Sequence, residues 1–132
     1  MDSFDIYLDD ATRLVKVVVM GEVFQNEGER VVKTARETAA KHNFNVLYDI
    51  RAATITVPFA NWYTLPRELE VFKTVTARQT KAAVLVSQTD KALEDYRFYE
   101  TVADNLGFKL RVCFEETEAL EWLSSNSTDI RP

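Results

Sequence analysis

The chain of 132 residues has the length of one domain, enough to bury roughly two thirds of the surface its unfolded form exposes, so no disulfide or metal staple is required. Its 46% hydrophobic and 28% charged residues are those of an ordinary soluble globular protein, and three glycines and three prolines leave little room for long irregular loops. The net charge of −5, with lysines and arginines scattered among acidic residues rather than gathered into a stripe, argues against nucleic acid as a partner.

No apolar run reaches the roughly 18 residues that a transmembrane segment needs. The opening Met-Asp-Ser-Phe-Asp has neither the basic nor the apolar region of a signal peptide, so a cytoplasmic protein is expected. Cys113 stands alone and His42 is the one histidine, which rules out an internal disulfide and leaves a metal few co-ligands. Cys113 therefore reads as a small buried hydrophobe, and no metal or cofactor is expected.

Residues 4–8 alternate Phe4, Ile6 and Leu8 against Asp5 and Tyr7, Asp9-Asp10 makes a polar turn, and valine-rich residues 14–20 run up to Gly21. This spacing predicts an antiparallel pair, with the first strand at or near a sheet edge and Gly21 ending the second. A helix follows, capped by Asn26 with Glu29 reaching back. Its inner face holds Val31, Val32, Ala35, Thr38, Ala39 and His42, leaving Lys33, Arg36, Glu37 and Lys41 toward water. His42, in the last turn, is the expected partner of the helix C-terminus rather than a catalytic base.

Residues 45–51, Asn-Val-Leu-Tyr-Asp-Ile-Arg, are apolar on both faces and then turn polar. That is the pattern of an inner strand covered on both sides. Set between helical patterns, it belongs inside a mostly parallel sheet, and its carboxyl end delivers Asp49 and Arg51 to the edge where open α/β sheets place ligands. The small residues 52–57 read as a connection, with Thr56 near a helix cap and Pro58 at the first helical position. Phe59, Trp62, Leu65, Leu69, Phe72 and Thr76 continue one helical face, which Pro66 kinks or splits.

Residues 81–87 form a second doubly covered strand. Thr89-Asp90 caps a helix whose stripe is Ala92, Tyr96, Tyr99, Ala103 and Leu106, flanked by Leu93 and Phe98 and ended by Gly107. Residues 109–114 alternate as a half-exposed last strand, and a short acidic helix over about residues 116–123 docks Ala119, Leu120, Trp122 and Leu123. Residues 124–132 read as a polar, frayed tail. The chain is thus expected to be one α/β domain with its core at about residues 4–123, in the order ββαβαβαβα.

That order, with Leu47-Tyr48-Asp49-Ile50-Arg51 on the third strand and Ala119-Leu120 and Trp122-Leu123 in the closing helix, resembles the SpoIIAA-like branch of the STAS domains, also described as STAS/SEC14-like. The resemblance covers nearly the whole chain. It implies a small mixed sheet with helices packed on it, and relatives that bind or regulate more often than they catalyse. The phosphorylatable members, the anti-sigma-factor antagonists, carry an Asp-Ser-Ser-Gly type turn at the start of the helix after this strand. Here the matching residues 53–58 read Ala-Thr-Ile-Thr-Val-Pro, which argues against a phosphorylation switch. Thr54 and Thr56 are the residues a kinase would reach near a helix N-terminus, where phosphate is electrostatically welcome, and they serve equally as turn and cap residues.

Catalytic chemistry finds little to build on. A triad would need His42, and no Gly-x-Ser-x-Gly turn exists to meet it; Gly21, Gly28 and Gly107 are too far apart for a phosphate loop. Asp9-Asp10 and Glu115-Glu116 sit where solvated charge is the plain explanation. Asp49 and Arg51, two apart on a strand, point to one side and suit an ion pair, which would either orient a ligand or tie down the following loop. Phe59, Trp62 and Tyr63 follow this strand; Tyr96, Phe98 and Tyr99 follow the next. The two groups line one apolar pocket with Asp49, Arg51, Ser87 and Gln88 at its mouth, or else are plain core.

Two functions follow. One is a non-enzymatic domain that binds a small apolar or amphipathic molecule, with Phe59 and Trp62 giving contact area and Arg51 taking the polar end. The other is an interaction module that forms a homodimer or meets a regulatory protein.

Overall fold

The computed structural model describes residues 4–56, 80–105 and 107–125. Among them one sheet has the order β1-β2-β3-β4-β5, formed by β1 (Phe4–Asp9), β2 (Leu14–Phe24), β3 (Asn45–Thr56), β4 (Lys81–Leu85) and β5 (Lys109–Cys113). The first pair is antiparallel and the remaining three are parallel. Among the described residues three helices pack on it: α1 (Gln25–His42), α2 (Leu93–Asn105) and α3 (Glu116–Ser124). The strand apolar on both sides is the central one. Val46, Tyr48 and Ile50 join the core beneath α1 and α2, while Leu47 joins Ala83, Leu85 and Cys113 beneath Ala119 and Leu123 of α3. Period-two alternation thus separates two cores, one on each face.

Both β2 and β3 run further than their sequences predict. Gly21 does not end β2 but passes through it at φ 77°, a conformation open to glycine. Residues 52–56 are strand rather than connection, because Met20–Phe24 lie opposite Ala52–Thr56 in register and each extension supplies the other's ladder. Leu85, the last residue of β4, pairs with Asp49, so this two-stranded arm projects beyond the rest of the sheet.

Helix α1 begins earlier than the Asn26 cap implies. Glu27, not Glu29, reaches back: its Oε1 accepts the Phe24 N–H at 3.3 Å, while Glu29 takes a bond from Gln25 Nε2 at 3.0 Å. Val31, Ala35 and Ala39 are buried as expected. Arg36, expected in water, is only 7% exposed, and His42, expected on the inner side, is exposed beside the Phe44 ring at 5.6 Å between centroids. The expected helix of residues 58–76, with its kink at Pro66, lies outside the described residues.

The end of α3 is fixed by two residues that start strands. Lys81 is 4% exposed, and its ammonium donates to the carbonyls of Trp122 and Ser125, each at 2.9 Å, and to Ser125 Oγ at 2.7 Å. Asn45 donates from Nδ2 to the Leu123 carbonyl at 3.1 Å and accepts the Lys81 N–H at 2.9 Å. A cation against the last carbonyls of a helix satisfies both the orphan acceptors and the helix dipole. Ser124 closes the helix, and the Ser125 hydroxyl donates to the Trp122 carbonyl at 2.7 Å. Lys81→Met, which keeps the apolar stem and removes the donor, is expected to cost about 2–3 kcal/mol in urea unfolding with an unchanged m-value. An unchanged midpoint would show that the clamp contributes nothing.

Candidate functional site

Asp49 and Arg51 meet at an irregularity in the sheet. Val18 pairs with Asp49 and Met20 with Ala52, so Val19 alone stands opposite Ile50 and Arg51, a β-bulge on β3. The bulge reverses the alternation: Val46, Tyr48 and Ile50 face the α1/α2 core before it, Ala53 and Ile55 after it. A bulge frees a ladder N–H, and here the Arg51 N–H donates to Asp49 Oδ1 at 3.1 Å. The guanidinium completes a fork, Nε to Oδ1 at 2.9 Å and Nη2 to Oδ2 at 2.8 Å, with Glu116 Oε1 4.0 Å from Nη2. The Arg51 hydrogen bonds hold the Asp49 carboxyl below its ordinary range, and the same bonds raise Arg51. The ion pair expected from the spacing therefore forms, beside the start of α3 on that helix's side of the sheet.

A second group forms on the opposite face. Helix α2 packs Tyr96, Phe98 and Tyr99 against the core that holds Tyr48. The Tyr96 hydroxyl donates to Asp90 Oδ2 at 3.2 Å, and Asp90 Oδ1 caps the turn by accepting the Ala92 N–H at 2.8 Å. Next to Tyr48 and Tyr99 lies Arg36, whose charge is felt by both phenols. Its guanidinium stands over the Phe108 ring, 5.6 Å from the centroid. Arg36 Nε and Nη1 and the Tyr48 hydroxyl are buried, and none has a hydrogen-bond partner among the described residues. Burial pushes the phenols of Tyr48, Tyr96 and Tyr99 above their ordinary value, so all three are neutral hydrogen-bond donors.

The two groups sit on opposite faces, and the pleat of β3 divides them. Asp49 and Arg51 are with α3, whereas Tyr96, Phe98 and Tyr99 are with α1 and α2. Ser87 follows β4, with its hydroxyl 3.0 Å from that of Thr89. Phe59, Trp62 and Tyr63 lie outside the described residues. Thr54 and Thr56 are exposed residues of β3; Thr56 Oγ1 donates to Glu22 Oε2 at 3.3 Å, and Glu22 stands opposite Thr54. A phosphate on either would meet that carboxylate.

Arg36 and Tyr48 were not singled out by their types, though the spacing carried a trace. Arg36 falls four residues after Val32 and three before Ala39, within the apolar face, and Tyr48 puts a hydroxyl in the middle of a doubly covered strand. Cys113 is fully buried, and burial pushes its thiol up to about 11, which leaves it protonated and unreactive. Among the described residues no group of three or more His, Cys, Asp or Glu is placed to hold a metal, and no helix is long and apolar enough to cross a membrane.

Among solved structures the chain is similar to the anti-sigma factor antagonist SpoIIAA in its unphosphorylated form, with a TM-score of 0.55 and 10% identity over 93% of this chain and 99% of that one. It is also similar to an uncharacterized DUF3478-family protein with a SpoIIAA-like fold from Shewanella loihica PV-4, with a TM-score of 0.56 and 14% identity over 91% of each chain. The sequence matches no family model and no curated protein. At these identities the likeness is one of fold, and the fold is SpoIIAA-like.

Removing the Arg51 side chain should return the Asp49 carboxyl toward its ordinary 3.8. A depressed folded-state pKa contributes stability above the unfolded-state value and loses it as pH falls through the folded one. The stability difference between the native protein and Arg51→Ala is therefore expected to shrink as the solution is acidified below about pH 4. Both side chains are partly exposed, so the difference at neutral pH should stay below about 1 kcal/mol. Carboxyl NMR titration of the two proteins reads the shift; equal Asp49 midpoints would contradict it.

Proposed function

We propose that this SpoIIAA-like domain is a non-enzymatic binding module with a regulatory role, holding a small amphipathic molecule on the α1/α2 side of its sheet. The observation that carries this reading is the presence, within one apolar and aromatic wall, of buried polar groups that no described residue satisfies. Apolar walls with a few polar anchors are what small-molecule sites use. The non-enzymatic part is supported by the chemistry of the candidates for catalysis. The Cys113 thiol is buried and protonated, and His42 is exposed at a helix end. The polar end of the ligand, assigned to Arg51 on sequence grounds, is better served by the α1/α2 face, because Arg51 is already engaged by Asp49.

A second reading has its own support. The exposed Arg51 guanidinium, its Asp49 partner and Glu116 form a fixed polar edge beside α3, suited to a regulatory protein partner. The similar SpoIIAA structure is that of an anti-sigma factor antagonist. The exposed Tyr7, Leu8, Met20 and Phe24 extend the surface available to a second copy.

Native mass spectrometry of the purified protein, alone and after incubation with lipid and fatty-acid mixtures, tests the first reading. An adduct of one small-molecule class is expected, and its absence across all classes would overturn the proposal. Sedimentation through the micromolar range tests self-association: a monomer throughout removes the homodimer and leaves a protein partner as the alternative.

A further inference from the structure

We propose that Arg36, with the Tyr48 hydroxyl beside it, is the seat of a carboxylate, the acid end of the amphipathic ligand. This rests on the ligand-binding reading above and assigns its headgroup and its anchor. A guanidinium cannot discharge itself by losing a proton within any ordinary pH range, so burial leaves it a full positive charge. Arg36 is 7% exposed and forms no salt bridge with a described residue. Among the described residues its guanidinium lies over the face of Phe108, 5.6 Å from the centroid, which answers the charge but accepts none of the in-plane N–H groups. Nε and Nη1 are left as buried donors without acceptors, and Tyr48, 6% exposed, adds a hydroxyl in the same condition.

The chemistry of the missing acceptor follows from this inventory. Among the described residues the groups that meet here are one cation and neutral phenols, those of Tyr48 and Tyr99. A single negative charge balances them. A dianionic phosphate would bring a second charge beside the buried Phe108 ring, where the described residues offer no second cation to meet it. A carboxylate is singly charged, planar, and fits either fork of a guanidinium. Its hydrocarbon part would lie toward the α2 rings Tyr96 and Phe98, which share this core. Among the described residues the other buried or ring-stacked cations lack this combination. Arg51 is held by Asp49, Lys81 by the end of α3, and Arg97 lies on the Phe114 ring at 5.3 Å and is exposed.

Dodecanoate, dodecanol and acetate, titrated separately into the full chain by calorimetry, test the seat. The native protein is expected to bind dodecanoate roughly tenfold or more tightly than dodecanol. Arg36→Met should abolish that preference while still binding dodecanol, Arg36→Lys should keep part of it, and Tyr48→Phe should weaken the acid alone. The Arg36 Nε–H NMR resonance should move with dodecanoate and not with dodecanol, a readout that needs no variant to fold. Equal binding of acid and alcohol, or a preference that survives in Arg36→Met, would overturn the carboxylate seat while leaving the ligand-binding reading intact. Acetate binding that Arg36→Met removes, without binding of either long-chain compound, would support the seat and defeat the amphipathic ligand. No binding of any of the three would overturn both.

Discussion

Burial of β3 on both faces is the constraint on which the other features depend. Val46, Tyr48 and Ile50 pack under α1 and α2, and Leu47 under α3, so one strand belongs to two cores at once. Each such side chain contributes about 1.5–3 kcal/mol on burial, and truncating one to alanine typically costs about 2–5 kcal/mol because the surroundings collapse only in part. Those terms tolerate one costly feature. A cation–π contact of the Arg36–Phe108 kind is worth about 2 kcal/mol when desolvated, whereas an uncompensated buried charge costs several. The imbalance sits against Tyr48, a polar member of this buried strand.

The bulge in β3 solves a different problem. Without it, alternation would carry Ala53 and Ile55 to the α3 side, and the arm formed with the end of β2 would turn its apolar residues away from the core. With it, the extension stays in step with Val23, and the surplus N–H at Arg51 is taken by Asp49. The Asp49–Arg51 pair is therefore first a device for holding a bulge. Its fixed fork and its position next to Glu116 then give the carboxyl edge of the sheet a defined polar surface.

The sheet was legible because its signals are redundant. Residues 45–51 and 81–87 are apolar on both faces, 4–8 and 109–114 alternate, and the helices between them carry stripes and caps; each level of the chain points to the same order. Boundaries were less legible where partners decide them. Residues 52–56 are small and weakly patterned, and they are a strand because β2 continues beside them past Gly21. Glu27 displaced Glu29 as the helix cap because the start of α1 is set by the end of that same arm.

The site was legible only in part. Two residues on a strand separated by one suffice to predict an Asp–Arg pair, and the pair forms. The aromatic residues of α2 were expected beside it, and the pleat placed them on the opposite face, a distinction that depends on which helix covers which side. Arg36 was hidden by its own chemistry: arginine on a helix reads as a surface residue, and only the packing of α1 against Phe108 and Tyr48 shows otherwise. The most direct measurement is a high-resolution crystal structure of the protein as purified, read at Arg36. The account predicts a buried guanidinium with a carboxylate-shaped group bound between it and Tyr48; a guanidinium turned out into solvent, or paired with an acidic side chain of the protein itself, would contradict it.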